Sequence, residues 1–588
     1  MNIVETDILK TLYSESYNSQ RDLSLKTGHS LGSVNQALKC LSEDLYLTSD
    51  FSLTAKGKKY ITDRSPKQAI ILAAGYGMRS VPINIETPKG LIEIHGEPLI
   101  ERIIRQLHQI NVNEIYIVVG YMKEKYEYLI DEFGVNLIIN MQYSSKNNLC
   151  SLNAACSHLE NAYIIPCDIW CRSNPFNSAE LCTWYMISDA ASDSSNVYIA
   201  RNKTLSPCTS GGNKMVGIAY ISSDDAPTLR KNLNDLSNLS EYDNSFWEDA
   251  LFYKKSIHVV PNVVSDNDVV EINTYEQLRD FDSSSSHLKV EAINIICSIL
   301  NTDASNIQNI SSLKKGMTNR SFLFECSGRK YIMRIPGEGT SQLIDRKNEA
   351  AVYSAIKNYN ISDNVLYISP DNGYKLTEYI EDVRACDAND QADLAASMNL
   401  LRKFHSLNLT VDHEFDIFGQ LEYYESLWNS RPSVYRDYST TKEHVLSLRS
   451  YIESMSPVKY LTHMDPNPDN ILFHHDNCGS EIPVLIDWEY AGMADPLIDI
   501  AMFAIYAYYD RKQVDNLISL YYPEGCSNKI RIKIYCYVAV CGLLWSNWCE
   551  YKESLGIEFG EYALKQYRYA KDFYNIVTDE LRKAGESL

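Results

Sequence analysis

Two carboxylates and a carboxamide are the side chains of this sequence best placed to do bond-making chemistry. They lie in His463-Met-Asp465-Pro-Asn-Pro-Asp-Asn470 and in Val484-Leu-Ile-Asp487-Trp-Glu-Tyr490. Phosphoryl transfer from a nucleoside triphosphate needs a group that orients or deprotonates the acceptor hydroxyl. It also needs oxygen ligands for the metal ions that bridge the phosphates. Asp465 suits the first role, and Asn470 with Asp487 the second. One Asp alone would read as a turn residue. The ordered set, with Asp487 closing an apolar strand-like run, reads as a kinase.

The letters differ from the H-R-D and D-F-G of ordinary protein kinases. With Gly492, Asp495-Pro496 and Asp499 following, the stretch resembles the choline/ethanolamine kinase and aminoglycoside phosphotransferase superfamily. Upstream, Lys315-Gly-Met-Thr-Asn-Arg-Ser-Phe-Leu-Phe reads as a hairpin over the nucleotide phosphates. Lys330-Tyr-Ile-Met-Arg334-Ile-Pro-Gly337 supplies Arg334 where many kinases carry Lys, in the R-I-P-G of choline kinases. Glu349 is the partner expected to aim Arg334 at the phosphates; on these two residues alone, a surface ion pair is an equal reading. The acceptor is suggested by Tyr490 and Trp545-Ser-Asn-Trp548. A quaternary ammonium has no hydrogen to donate, so proteins hold it on aromatic faces. Tryptophans three apart share a helix face, and without context they read as a core stripe. The resemblance implies that they line a choline cage. It leaves open whether Tyr562, Tyr567 or Tyr569 closes it.

Earlier in the chain, Gln68-Ala-Ile-Ile-Leu-Ala-Ala-Gly75-Tyr-Gly77-Met-Arg79 is a buried-strand pattern running into a glycine turn. Gly75 and Gly77 let backbone amides approach phosphate oxygens. Thr87-Pro-Lys89, Pro98-Leu-Ile, an amphipathic helix from Glu101 to Ile110, and the strand Glu114-Ile-Tyr-Ile-Val-Val-Gly120-Tyr follow, then Asn147-Asn148-Leu-Cys-Ser151-Leu. This order resembles the sugar-phosphate and phosphocholine nucleotidylyltransferases. The implied reaction is in-line attack of a phosphate oxygen on the α-phosphorus of CTP, with Arg79 and Lys89 neutralising anionic reactants. Asp168 stands where the family places a metal-binding Asp; alone it would be a strand-end turn residue. The second ligand usually comes from E-I-D, and this chain has Glu271-Ile-Asn273, which weakens the assignment of Asn273. Trp247, in Phe246-Trp247-Glu248-Asp249, reads either as a face for the trimethylammonium or as a core residue.

The first sixty-odd residues resemble a winged helix-turn-helix. Ser19 to Thr27 reads as a short helix, Gly28 as its turn and Ser30 as the N-cap of a second helix. That helix buries Val34, Leu38 and Leu41 and exposes Ser33, Asn35, Gln36 and Lys39, side chains of the kind that read base edges. Leu45–Thr48 and Phe51–Thr54 read as a small hairpin, followed by a basic helix. Duplex-DNA binding and docking or dimerisation are equal readings of this module.

Composition bounds the rest. The 588 residues carry a net charge of −21, which argues against the whole chain embracing nucleic acid. Fifteen cysteines without paired C-x-x-C sites, no secretory signal and no long apolar run read as a cytoplasmic protein of reduced thiols. The expected architecture is multidomain α/β and α+β. It comprises a winged-helix module at 1–65, a Rossmann-like nucleotidyltransferase domain at 66–285 and a bilobal protein-kinase-like domain at 286–588. The boundaries fall near Arg64-Ser-Pro-Lys67 and at the polar stretch Ser283–His287. Together the resemblances imply bifunctional CDP-choline synthesis with Mg²⁺. ATP would phosphorylate choline, and CTP would then cytidylylate phosphocholine, which in bacteria serves to decorate surface glycans. Ethanolamine or an aminophosphonate in place of choline, an aminoglycoside-type phosphotransferase, and a DNA-binding regulator using the enzyme domains as sensors are the alternatives. A homodimer would suit a helix-turn-helix.

Overall fold

Side-chain caps start the N-terminal helices where the sequence places them. Ser19 accepts from Asp22 N, and Ser30 from Ser33 N. The segment comprises α1 (Ile3–Ser14), α2 (Gln20–Thr27), α3 (Leu31–Glu43) and α4 (Ala55–Arg64). Gly28, at φ +66°, turns the chain between α2 and α3 in the left-handed region that glycine tolerates best. The expected hairpin is reduced to a single bridge, Leu47 to Leu53. The computed structural model describes residues 1–313, 319–337, 344–455, 458–475, 479–557 and 559–585. Lys315–Thr318, the tip of the expected phosphate hairpin, lie outside the described residues. The chain divides into two compact units, Met1–Asn294 and Ile295–Leu588.

The first unit is built on β1 (Gln68–Ala73), β2 (Glu114–Val119), β3 (Asn136–Ile139), β4 (Ala162–Pro166), β5 (Ile169–Cys171), β6 (Trp184–Ser192), β7 (Gly212–Ile221), β8 (Val260–Val264) and β9 (Val269–Glu271). Seven of these form a mixed sheet in the order β8-β6-β7-β4-β1-β2-β3, while β5 and β9 pair separately. β1 is central and parallel to both β2 and β4. It is covered on both faces, which is why its sequence is a continuous apolar run and not an alternation. The amphipathic helix, Leu99–Gln109, buries Ile100, Ile103, Ile104 and Leu107 on this sheet. The architecture is the Rossmann-like mixed sheet expected of a nucleotidyltransferase.

The N-terminal helices are not hung on a free linker. Ala179 and Leu181, from the loop before β6, sit in the same apolar core as Ile8, Leu9, Leu38 and Ile61. Lys10 pairs with Glu180, whose side chain is 3% exposed. Burial works against the Glu180 charge harder than Lys10 relieves it, so this carboxyl is held above its usual range. Near the expected boundary, Lys67 N donates to Asn161 O at 2.9 Å and the Tyr220 hydroxyl donates to Arg64 O. The serine stretch read as a linker is likewise tied down. Ser285 Oγ donates to Glu93 O at 3.0 Å and Ser286 Oγ to Glu93 Oε2 at 3.0 Å, both inside the first unit.

The second unit opens with β10 (Ile307–Ser312), β11 (Asn319–Cys326) and β12 (Arg329–Pro336), then α5 (Arg346–Ile356), β13 (Val365–Ile368) and β14 (Lys375–Glu378). The sheet order is β10-β11-β12-β14-β13. The second lobe is mainly helical, around a hairpin of β15 (Ile471–His475) and β16 (Glu481–Leu485). Its helices include α6 (Leu497–Tyr506) and the two longest, α7 (Asn528–Ser554) and α8 (Glu561–Ala584). α7 is buried nearly all round, the pattern of a helix at the centre of a lobe. This is the bilobal, protein-kinase-like arrangement.

Candidate active sites

In the first unit, a β-ribbon unites residues far apart in sequence. β5 and β9 pair antiparallel with Ile169 opposite Glu271, so Asp168 and Asn273 meet just beyond the ends of the ribbon. Lys89 lies between them. Its Nζ donates to Asp168 Oδ2 at 2.8 Å and to Asn273 Oδ1 at 2.7 Å. Asn273 is buried and further fixed, its N donating to Gln277 Oε1 and its O accepting from Ser80 Oγ. The Lys89 stem crosses Gly77, where a Cβ would stand 2.8 Å from Lys89 Cγ. Gly77 is therefore required by the lysine as well as by its φ of +63°. Gly75, Gly77, Arg79, Lys89 and Asp168 line one cavity of about 490 Å³. Arg79 is largely exposed and lies 4.0 Å from Glu271. Two hard oxygens converging on one point are donors of the type Mg²⁺ takes, so Asp168 and Asn273 fit the metal such chemistry uses once the ammonium moves aside.

In the second unit, the β15–β16 hairpin pairs Ile471 with Leu485, which sets Asn470 and Asp487 at the same end of the ladder. Ile486 N donates to Asn470 O at 2.9 Å, and His463 Nε2 meets Ile486 O at 3.0 Å. Asn470 Nδ2 donates to Asp465 Oδ2 at 3.0 Å. The amide nitrogen is thereby committed to Asp465, and its oxygen is the atom left for a cation. Asp465 is pushed up to about 7, by burial and then by the neighbouring Asp487 charge. Met464 at φ +69° and Asp487 at φ +64° occupy left-handed backbone that non-glycine residues rarely adopt. Such strain persists where surrounding contacts over-determine it. For Met464 the contacts are explicit. Asp499 Oδ1 accepts from Met464 N at 2.8 Å and Oδ2 from His463 N at 3.1 Å. Asp499 is in turn met by His405 Nε2 at 2.9 Å, and His405 Nδ1 by the Tyr521 hydroxyl at 2.8 Å. Nothing in the sequence pattern marks His405, which lies near the end of the helix Gln391–Ser406.

Arg334 and Glu349 form a bidentate pair at 2.6 and 2.9 Å across β12 and α5, with side chains 6% and 0% exposed. Burial opposes both charges, but their attraction outweighs it, so Arg334 is held above its usual range and Glu349 below its own. The reading as a surface pair is excluded. Arg334 Nη2 also donates to Gly373 O at 3.0 Å. Its Nε has no partner among the described residues. Arg334 and Asp487 line a cavity of about 350 Å³.

The chain matches the choline/ethanolamine kinase family over residues 310–524 and the MobA-like NTP transferase family over residues 69–207. A choline-phosphate cytidylyltransferase of Streptococcus pneumoniae is 30% identical over 221 residues, 36% of this chain and 95% of that protein. Protein LicA of Haemophilus influenzae is 28% identical over 265 residues, 42% of this chain and 96% of that protein. A 2-aminoethylphosphonate cytidylyltransferase of Lancefieldella rimae is 28% identical over 232 residues, 36% of this chain and 91% of that protein. The chain belongs to the MobA-like nucleotidyltransferases and carries a choline/ethanolamine kinase domain.

In the kinase domain, six rings form a continuous cluster. Tyr490 and Tyr506 meet Trp545 at 5.8 and 5.7 Å, and Trp545 meets Trp548 at 5.3 Å. Phe559 then meets Trp548 at 5.2 Å, and Tyr562 meets Tyr506 at 6.1 Å. The Tyr506 hydroxyl also faces the Asp465 carboxylate. Tyr562 is thus the C-terminal tyrosine that joins the cluster. Tyr567 stacks on Tyr435 at 3.8 Å and bonds Asp437, while the Tyr569 hydroxyl donates to Tyr509 O at 2.9 Å. Tyr506 lies in no motif that the sequence offers, and Phe559, within Ile557–Tyr562, carries no mark there that separates it from a core ring. In the nucleotidyltransferase domain, Trp247 is corrected to a core residue. It is 1% exposed, packed on Tyr185 at 5.9 Å, and it is the neighbouring Phe246 that lines the cavity. Trp247, at the N-cap of the short helix Glu248–Leu251, packs into the apolar cluster with Tyr185, Leu229 and Leu251. In the N-terminal segment, Ser33, Asn35, Gln36 and Lys39 all face solvent. Among the described residues no helix is long and apolar enough to cross a membrane.

Proposed function

We propose that the chain makes CDP-choline in two steps, phosphorylating choline with ATP in the kinase domain and transferring CMP from CTP to phosphocholine in the nucleotidyltransferase domain. The observation that carries the choice of acceptor is the ring cluster beside Asp465. Aromatic rings gathered next to the proposed base suit an alcohol whose far end is a quaternary ammonium. Asp465, with its proton affinity raised toward neutrality, takes the hydroxyl proton as the oxygen bonds to the γ-phosphorus and ADP leaves. Arg334, pinned by Glu349, presents its Nε to the nucleotide. Asn470 and Asp487, like Asp168 and Asn273 in the other domain, would hold Mg²⁺, which supplies charge neutralisation at the phosphates. In the second reaction a phosphocholine oxygen bonds to the α-phosphorus of CTP and pyrophosphate departs, with Lys89 and Arg79 offsetting the anionic charge.

The test is incubation of the full chain with ATP, CTP, Mg²⁺ and one acceptor at a time, choline or ethanolamine, with nucleotide products followed by mass. Supplied phosphocholine and 2-aminoethylphosphonate test the second step alone. Formation of CDP-choline from choline is the expected result. Turnover of ethanolamine equal to or better than choline would overturn the cage reading.

A further inference from the structure

The two oxygens suited to a metal in the nucleotidyltransferase domain already have a cation between them. Lys89 Nζ stands 2.8 Å from Asp168 Oδ2 and 2.7 Å from Asn273 Oδ1, and its side chain is 12% exposed. Mg²⁺ binds oxygens at about 2.0–2.1 Å. An ammonium and a divalent ion therefore cannot share the same pair of oxygens, on grounds of both size and like charge. The charge count sharpens the conflict. Asp168 contributes one negative charge, Asn273 none and Lys89 one positive, while Glu271 faces Arg79 at 4.0 Å. The donor set around the ammonium is close to neutral and offers a free divalent ion little attraction. The lysine is also held in place from behind, because its stem lies on Gly77 where a methyl would come to 2.8 Å of Cγ.

We propose that Lys89 is the resident counter-ion of Asp168 and Asn273, and that it shuts free divalent metal out of this site until a nucleoside triphosphate arrives. The triphosphate brings the metal and, with its own anionic oxygens, draws the ammonium away from the carboxylate. Metal and nucleotide therefore bind together, and Lys89 serves twice: as a placeholder before binding and as a phosphate ligand after it. The inference rests on the assignment of Asp168 and Asn273 to the metal. It adds that the Asn273 of this chain, in place of a second carboxylate, makes the exclusion effective.

The experiment titrates Mn²⁺ into the full chain carrying Asp487→Ala, which silences the kinase metal site, and reads protein-bound Mn²⁺ by water-proton relaxation enhancement. Without nucleotide, addition of Lys89→Met should tighten Mn²⁺ binding at least tenfold. Gly77→Ala, which displaces the same ammonium without deleting it, should shift binding in the same direction, so a folding defect in one variant does not decide the matter. With CTP, the Lys89-containing protein should gain bound Mn²⁺. Equal nucleotide-free affinity in the Lys89 protein and both variants would overturn the exclusion. Absence of any CTP-dependent Mn²⁺ uptake would instead remove the metal assignment itself, and the inference with it.

Discussion

Replacing Glu349 by Gln tests how the kinase domain holds Arg334, the arginine proposed to meet the nucleotide. The carboxylate accepts from Arg334 at 2.6 and 2.9 Å and from Arg346 at 3.0 Å, with no exposure of its own. Removing one member of a buried pair costs about 3–5 kcal/mol, because the partner is left charged and unsolvated. Two arginines lose a partner here, so the upper half of that range is expected for unfolding of the second unit. The nucleotide should respond separately. Loss of a charge-assisted bond of about 1.5–3 kcal/mol that fixes Arg334 corresponds to roughly a ten- to hundredfold rise in the KM for ATP. The pH dependence has a definite sign. Glu349 is held below its ordinary value of 4.5 in the folded chain, so the unfolded state binds the proton more readily. The contribution is fully present above that pH and drains away as pH falls through the folded-state value. Urea unfolding at neutral pH and below 4.5 should show the gap between parent and Glu349→Gln closing as acid is added. A double-mutant cycle with Arg334→Met should return a coupling above about 1.5 kcal/mol. A gap under about 1 kcal/mol at neutral pH, with KM for ATP unchanged, would mean the pair is solvated and the packing of β12 on α5 is misjudged.

Three further outcomes follow from the geometry. Asp487→Ala should abolish ATP-dependent phosphorylation yet spare CDP-choline formation from supplied phosphocholine, and Lys89→Ala should do the reverse with a loss of about 10²–10³ in kcat; either change silencing both half-reactions in folded protein would end the two-site reading. Trp545→Ala or Trp548→Ala should raise the choline KM far more than it lowers kcat, and a selective loss of kcat would place these rings outside the acceptor site. Lys10→Ala should destabilise the first unit by about 3 kcal/mol by stranding Glu180, while Lys10→Met with Glu180→Met should recover most of it, checked by the denaturation midpoint.

The kinase motif was legible in the sequence because its candidate residues sit where local backbone geometry is fixed. Asp465, Asn470 and Asp487 belong to one hairpin and its approach loop, so a single short stretch of chain brings them together. Lys89, Asp168 and Asn273 were readable only as three separate marks; the β5–β9 register that unites them is a tertiary fact. Trp247 stayed open in the sequence because an aromatic side chain beside a site carries the same letter whether it faces the cavity or the core. Its burial in the apolar cluster around Tyr185 decides it. The ring cluster was half visible: Trp545 and Trp548 follow helical spacing, whereas Tyr506 and Phe559 arrive from other elements.

The least legible feature was the attachment of the N-terminal helices. Arg64–Lys67 has the polarity of a linker, and the segment 1–65 carries eight basic and eight acidic residues, so composition treats it as independent. The structure instead lends it two apolar residues and a buried carboxylate from the loop before β6. A module with so small a core gains stability from borrowed apolar area, and the Lys10–Glu180 pair fixes its orientation more than it adds energy. That attachment leaves α3 with Ser33, Asn35, Gln36 and Lys39 facing outward on a body that is otherwise acidic. Any duplex DNA on that face would therefore be held by few positive charges against general repulsion, and its binding should fall steeply with salt. Fluorescence anisotropy with the DNA upstream of its own coding region, at low and physiological salt, checks this. Binding that survives combined alanine substitution of Asn35, Gln36 and Lys39 would exclude α3 as the reading helix. No binding at low salt would leave docking onto the nucleotidyltransferase sheet as the purpose of the segment.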